Sequence, residues 1–151
     1  MSFLDSFDIS ASGMSAQRVR LDVAAENIAN VDTTRTASGG PYRRKDVVLE
    51  SYGQNTSFAN ALRQARTGQT VISSGKRGVR VGQIVEDTRS FKKVYNPSHP
   101  DADQDGYVEM PNVDVLKETV DSMSATRSYE ANVTALNAMK QMIAKAEEIG
   151  K

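Results

Sequence analysis

The chain has no cysteine among its 151 residues, which excludes disulfides, thiol nucleophiles and cysteine-ligated metals. Tryptophan is also absent and aromatic residues are only 6% of the total, so few large anchors are available for burial. Hydrophobic residues stop at 38%, below the roughly 45–50% of an ordinary globular domain, a share that also counts glycine. The core is therefore modest. No apolar run approaches the ~18 residues of a spanning helix, which argues against direct membrane insertion. The opening residues Met1-Ser2-Phe3-Leu4-Asp5 lack the basic segment and apolar stretch of a secretory signal. The chain is expected either to stay in the cytoplasm or to leave by a route that needs no cleaved signal. The single histidine, His99, lies between Ser98 and Pro100 and has no Cys or second His as partner. No glycine-rich phosphate loop or nucleophile elbow occurs. No catalytic residue, no cofactor and no enzyme activity are expected.

Charge of one sign is not in excess: 19 basic side chains balance 19 acidic ones. A generic nucleic-acid binder would be strongly basic, so that class is set aside. The balance hides segregation. Residues 1–32 carry five acidic groups against two basic, residues 33–100 twelve basic against four acidic, and residues 101–121 seven acidic against one basic. A basic middle lies between acidic stretches. Such a pattern serves either neutralisation within one chain or complementarity between copies.

What is present is helical periodicity at both ends. Phe7, Ala11, Met14, Arg18, Leu21, Ala25 and Ile28 follow at alternating steps of four and three, a heptad seam. Ser10, Ser12 and Gly13 weaken its first part, so the spacing predicts a helix most securely over 14–30, with Asn30 as a left-handed stop. Near the other end Val113, Leu116, Val120 and Met123 form a second seam, and Tyr129, Val133, Leu136, Lys140 and Ile143 resume it one residue early. The apolar face is expected to swing round that helix near Thr126 and Arg127, changing the partner it meets. Asn112 or Asp114 can cap its start.

The middle is irregular. Gly39-Gly40-Pro41 reads as a turn and 42–49 as a strand. Residues 51–70 read as a linker, with a short helix over 58–65. Val71-Ile72, 78–81, 84–85 and 91–95 are short β-type runs. The expected fold class is α+β: N- and C-terminal helices forming a coiled-coil-like core around a small β-rich insert. The divisions are 1–34, 35–111 and 112–151.

One isolated motif carries chemistry. Asp101, Asp103, Asp105, Gly106 and Glu109 match the first half of an EF-hand loop, but the twelfth position is Asn112 and prolines replace the entering helix. A weak metal site on Asp101, Asp103 and Asp105, hence a calcium-responsive helical module using 101–112, stands as the alternative to an acidic turn bonded to its own backbone. A cytoplasmic helical adaptor is a further alternative. The run Tyr42-Arg43-Arg44-Lys45 reads as a solvated strand end. Arg18 and Arg127 occupy seam positions as solvated stems or as register pins.

Some segments carry a family resemblance. The stretch 24–34, containing Asn27-Ile28-Ala29-Asn30 before a Thr-containing turn, resembles the N-terminal signature of the flagellar rod and hook axial proteins. Ser124-Ala125-Thr126-Arg127-Ser128-Tyr129-Glu130-Ala131-Asn132-Val133 is similar to that family's C-terminal helix. Segments 40–45, 78–81, 96–100 and 106–113 narrow the likeness to its proximal-rod members. The resemblance implies a torque-transmitting structural subunit of the bacterial basal-body rod. Its partners would be copies of itself and other rod proteins with similar terminal helices. It also implies export through the flagellar type III apparatus without a cleaved signal, to a periplasmic location. The expected assembly interface is Phe7, Met14, Leu21, Asn27, Ile28 and Asn30 on the first helix. On the second it is Leu116, Val120, Met123, Arg127, Tyr129, Val133, Leu136 and Ile143.

Overall fold

The computed structural model describes residues 3–53, 62, 65–66 and 77–150. Helix α1 spans Phe3–Ala29, longer than its secure core of 14–30 because tertiary contacts hold the weak first half. There Ser12 Oγ donates to the Ile9 carbonyl at 2.7 Å and accepts the Val79 N–H at 3.1 Å. A Cβ on Gly13 would meet Asn132 Nδ2 at 3.1 Å, so the missing side chain lets the two long helices approach. Asn30 ends α1 differently from the expectation. Among the described residues no non-glycine has a positive φ. Instead the Asn30 backbone N–H and side-chain amide both donate to the Glu26 carbonyl, which satisfies an end group without a left-handed residue. The following turn does use that region, at Gly39 (φ 85°) and Gly40 (φ 76°), which glycine adopts without a Cβ penalty.

Strand β1, Lys45–Gly53, pairs antiparallel with β2, Arg77–Glu86. Residues 51–53, expected to open a linker, are therefore the end of a strand, and the predicted strand start at 42 moves to 45. The register slips between Val48 and Leu49, leaving Gly82 as the extra residue of a bulge opposite them. A Cβ on Gly82 would collide with the Glu50 side chain. The predicted Val71-Ile72 run and most of the 58–65 helix lie outside the described residues. Strand β3, Lys92–Tyr95, pairs antiparallel with β4, Tyr107–Met110. The rings of Tyr95 and Tyr107 meet edge to face at 5.3 Å between centroids.

Helix α2 spans Val115–Ile149, about 50 Å at 1.5 Å per residue. Asp114 caps it, accepting the N–H groups of Leu116 and Lys117 at 3.0 and 3.4 Å. Contacts between Asn27 and Glu118 at one end and Gly13 and Asn132 at the other make α1 and α2 antiparallel. The architecture is α+β, two terminal helices flanking a small antiparallel-strand region.

The packed face of α1 is not the predicted seam. Ser10, Ala16, Val23, Ala24 and Asn27 are buried, whereas Ala11, Arg18 and Ala25 are exposed and Phe7, Met14, Leu21 and Ile28 are half-buried. A strict seven-residue repeat drifts about 20° per heptad round a straight helix, and α2 settles on the neighbouring stripe of small residues. On α2 the buried positions are Glu118 and Ala125. Elsewhere among the described residues Tyr42, Val108 and Pro111 are buried.

Candidate assembly surface and the polar junction behind it

Leu116 and Val120 each stand two residues from the buried Glu118, and Met123 two from the buried Ala125. Two residues correspond to about 200° round a helix, so all three point away from α1. Their exposures are 75%, 57% and 53%. Arg127 continues the stripe and is exposed. Further along, Val133, Leu136 and Ile143 are half-buried, and Tyr129 stands at 36%. The apolar face of α2 thus turns outward in its first turns and partly inward later, with the change near Arg127. Phe7, Met14, Leu21 and Ile28 form a half-covered flank on α1. Asn27 does not belong to this surface. It is 0% exposed and is used up inside the chain.

Asn27 is the centre of a buried polar junction. Its amide nitrogen donates to the Lys45 carbonyl at 2.8 Å and to Glu118 Oε2 at 2.9 Å. Its oxygen accepts the Tyr42 hydroxyl at 3.0 Å and the Lys45 N–H at 2.9 Å. Both donors and both lone pairs are therefore satisfied. Glu118, 2% exposed, also accepts Arg44 Nε at 2.6 Å. The same guanidinium lies 3.2 Å from Asp46, 3.6 Å from Asp121 and 3.9 Å from Asp87. The Arg44 N–H donates to Asn112 Oδ1, whose amide in turn donates to the carbonyls of Asp87 and Arg89.

The electrostatics follow from this geometry. Burial opposes the Arg44 charge, but the Glu118 carboxylate and then Asp46 outweigh it and hold the guanidinium above its ordinary pKa. Burial, followed by the charges of Glu26, Glu118 and Glu86, pushes the Tyr42 phenol from 10.0 up to about 12. Hydrogen bonds from the Arg89 side chain and backbone pull Asp87 from 3.8 down to about 2, against a smaller burial effect. No buried side-chain nitrogen or oxygen among the described residues lacks a partner.

The segment 42–45 is therefore not a solvated strand end. Tyr42 and Arg44 are buried, Arg43 lies 4.3 Å from the Phe91 ring centroid, and Lys45 pairs with Glu26. Part of the basic middle is neutralised within the chain by the flanking acidic stretches, through Arg44 with Glu118 and Asp121, Lys45 with Glu26, Arg35 with Asp101 and Lys93 with Glu109.

The acidic loop is an internally bonded turn. Asp103 Oδ1 accepts the N–H groups of Asp105 and Tyr107, and Gly106 turns at φ 78°. Asp101 points elsewhere, accepting Thr34 Oγ1 at 2.8 Å and facing Arg35. Its last part is strand β4. Among the described residues no group of three or more His, Asp or Glu side chains is arranged to hold a metal ion. Asp101 and Asp103 spend their oxygens on different partners, an arrangement of an acidic turn and not of the half EF-hand that stood as its alternative. Among the described residues, no helix is long and apolar enough to cross a membrane.

Comparison with known proteins matches both ends. The family model "Flagella basal body rod protein" covers residues 7–35, which is most of α1 and the turn after it. The model "Flagellar basal body rod FlgEFG protein C-terminal" covers 104–149, from the acidic turn through β4 and α2. The flagellar basal-body rod protein FlgC of Bacillus subtilis is 50% identical over 155 residues, with the whole of both chains covered. The chain belongs to the FlgC family of flagellar basal-body rod proteins. FlgC of Escherichia coli O157:H7 is 44% identical over 151 residues, again end to end. FlgC of Borreliella burgdorferi is 39% identical over 150, covering 97% of this chain and 96% of the relative. The family is structural, so the chain is a structural rod subunit and not an enzyme.

Proposed function

We propose that this rod subunit joins copies of itself and other rod proteins through the outward faces of its terminal helices. The chain then divides as 1–34 and 112–151 for assembly and 35–111 as the insert. The observation that carries the reading is the row Leu116, Val120 and Met123, exposed on the side of α2 opposite its packed face. Covering those three side chains would contribute roughly 3–5 kcal/mol per contact. The half-covered flank Phe7, Met14, Leu21 and Ile28 offers a second strip of the same kind. Delivery by the flagellar type III export apparatus, without a cleaved signal, and a periplasmic place in the drive shaft complete the proposal. Continuous exposed apolar strips on a chain with a small core favour a subunit finished by its neighbours.

The experiment is Val120→Asp. Val120 is exposed, so the isolated fold should tolerate the change, whereas an unpaired charge in a covered seam costs several kcal/mol. Export is expected to continue while rod assembly and swimming fail. Swimming at the parental rate would remove this face from the mechanism.

A further inference from the structure

Among the described residues, β1 and β2 pack along α1, and side-chain hydrogen bonds tie the ribbon to the helical hairpin near Ser12 and at the junction. Far from the junction, Ser12 Oγ accepts the Val79 N–H. At its base, the junction binds the end of α1 (Asn27), the entry to β1 (Tyr42, Arg44, Lys45), the exit of β2 (Asp87) and the first turns of α2 (Glu118, Asp121). The surroundings contribute little apolar burial. Near this point it comes from Val23, Ala24 and Tyr42.

We infer that Arg44 and Glu118 are specificity-determining residues for assembly: they fix how the base of the ribbon sits against the helices, without touching the assembly surface. Apolar contact is non-directional and would hold the ribbon base near the hairpin at several angles. A guanidinium has fixed donor directions. With carboxylates from β1, the end of β2 and two turns of α2 around it, one arrangement satisfies all of them. Glu118 extends the constraint, because its second oxygen reaches Asn27 on the other helix. Buried ion pairs are weak sources of stability when compared with apolar replacements, and a register-fixing role is their best-attested use. A subunit whose ribbon base shifts against the helices presents its neighbours with a mixture of shapes.

This inference rests on the assembly reading above, and the test separates the two. The full-length Arg44→Met/Glu118→Met double variant is placed in a cell that depends on this chain for swimming, and its purified form is followed by amide exchange and thermal melting. Expected are a melting midpoint only several degrees below the parent's, because Asn27 loses one acceptor, exchange in 45–49 and 81–86 faster by about tenfold or more, and loss of swimming. A stable double variant that swims normally, or keeps parental ribbon protection, overturns the inference. If the double variant does not fold, Arg44→Lys decides. A point-like ammonium keeps the charge but cannot reproduce the fork, so it should loosen the ribbon and shrink the swimming ring. Parental behaviour of Arg44→Lys on both readouts overturns the inference as well. Val120→Asp is the control: if it swims, the assembly reading fails. If it does not swim while the junction variants do, only the junction inference fails.

Discussion

Glu118→Gln is nearly isosteric and tests the junction's energetics through donor and acceptor count alone. Both carboxylate oxygens of Glu118 accept, one from Arg44 Nε at 2.6 Å and one from Asn27 at 2.9 Å. Glutamine has one acceptor and one NH2 donor. Whichever way it is turned, an N–H faces another N–H at a site 2% exposed. If the amide faces Arg44, a charge-assisted bond is lost, roughly 1.5–3 kcal/mol. The buried donor left without an acceptor costs about 1–3 kcal/mol more. The total, about 3–5 kcal/mol, is comparable to breaking a buried pair and is a large part of the 5–15 kcal/mol typical of a domain. Arg44 keeps Asp46, Asp87 and Asp121, so the lower half of the range is expected. Urea unfolding followed by circular dichroism measures the loss. A cycle with Arg44→Met should give coupling above about 1 kcal/mol, since the residues touch. A Glu118→Gln variant within about 1 kcal/mol of the parent would refute the donor and acceptor argument.

Three further expectations follow. Asp87 has a folded pKa below its unfolded one, so its contribution is complete above about 4 and disappears as pH falls through about 2. Asp87→Asn should flatten that part of an acid-unfolding curve, and an unchanged curve would contradict it. Gly13→Leu should push α1 from Asn132 and cost about 1–3 kcal/mol, whereas Gly13→Ala should lie near zero because helix propensity offsets the crowding. Equal effects of the two would show that the helices do not approach closely there. Replacing Asp101, Asp103 and Asp105 together by Asn retains the side-chain oxygens that the turn uses. Near-normal motility with no calcium dependence is expected, and a calcium-dependent fold abolished by the triple change would restore the EF-hand reading.

The helices were legible because their periodicity is long, and β2 because its Val and Ile run is. Strand β4 was not, since Tyr107-Val108-Glu109 sits inside a stretch whose carboxylates drew attention to metal chemistry. Asn112 was a plausible cap, but the structure spends it on Arg44 and the end of β2 and leaves capping to Asp114. The junction was the hardest part to foresee. Arg44 and Glu118 lie 74 residues apart, and each looked like a surface charge in its own segment. Asn27 drew notice only within the Asn-Ile-Ala-Asn motif, and a fully bonded amide gives no periodic signal.

Docking through α2 requires that its outward face be covered in the assembled rod. The chain has no cysteine, so a single Leu116→Cys variant carries one thiol at a position 75% exposed in the isolated subunit. Its reaction with a maleimide can be compared between purified subunit and isolated basal bodies from swimming cells. Rapid labelling of the free subunit and strong protection in the basal body are expected. Equal labelling in the two would contradict docking through α2.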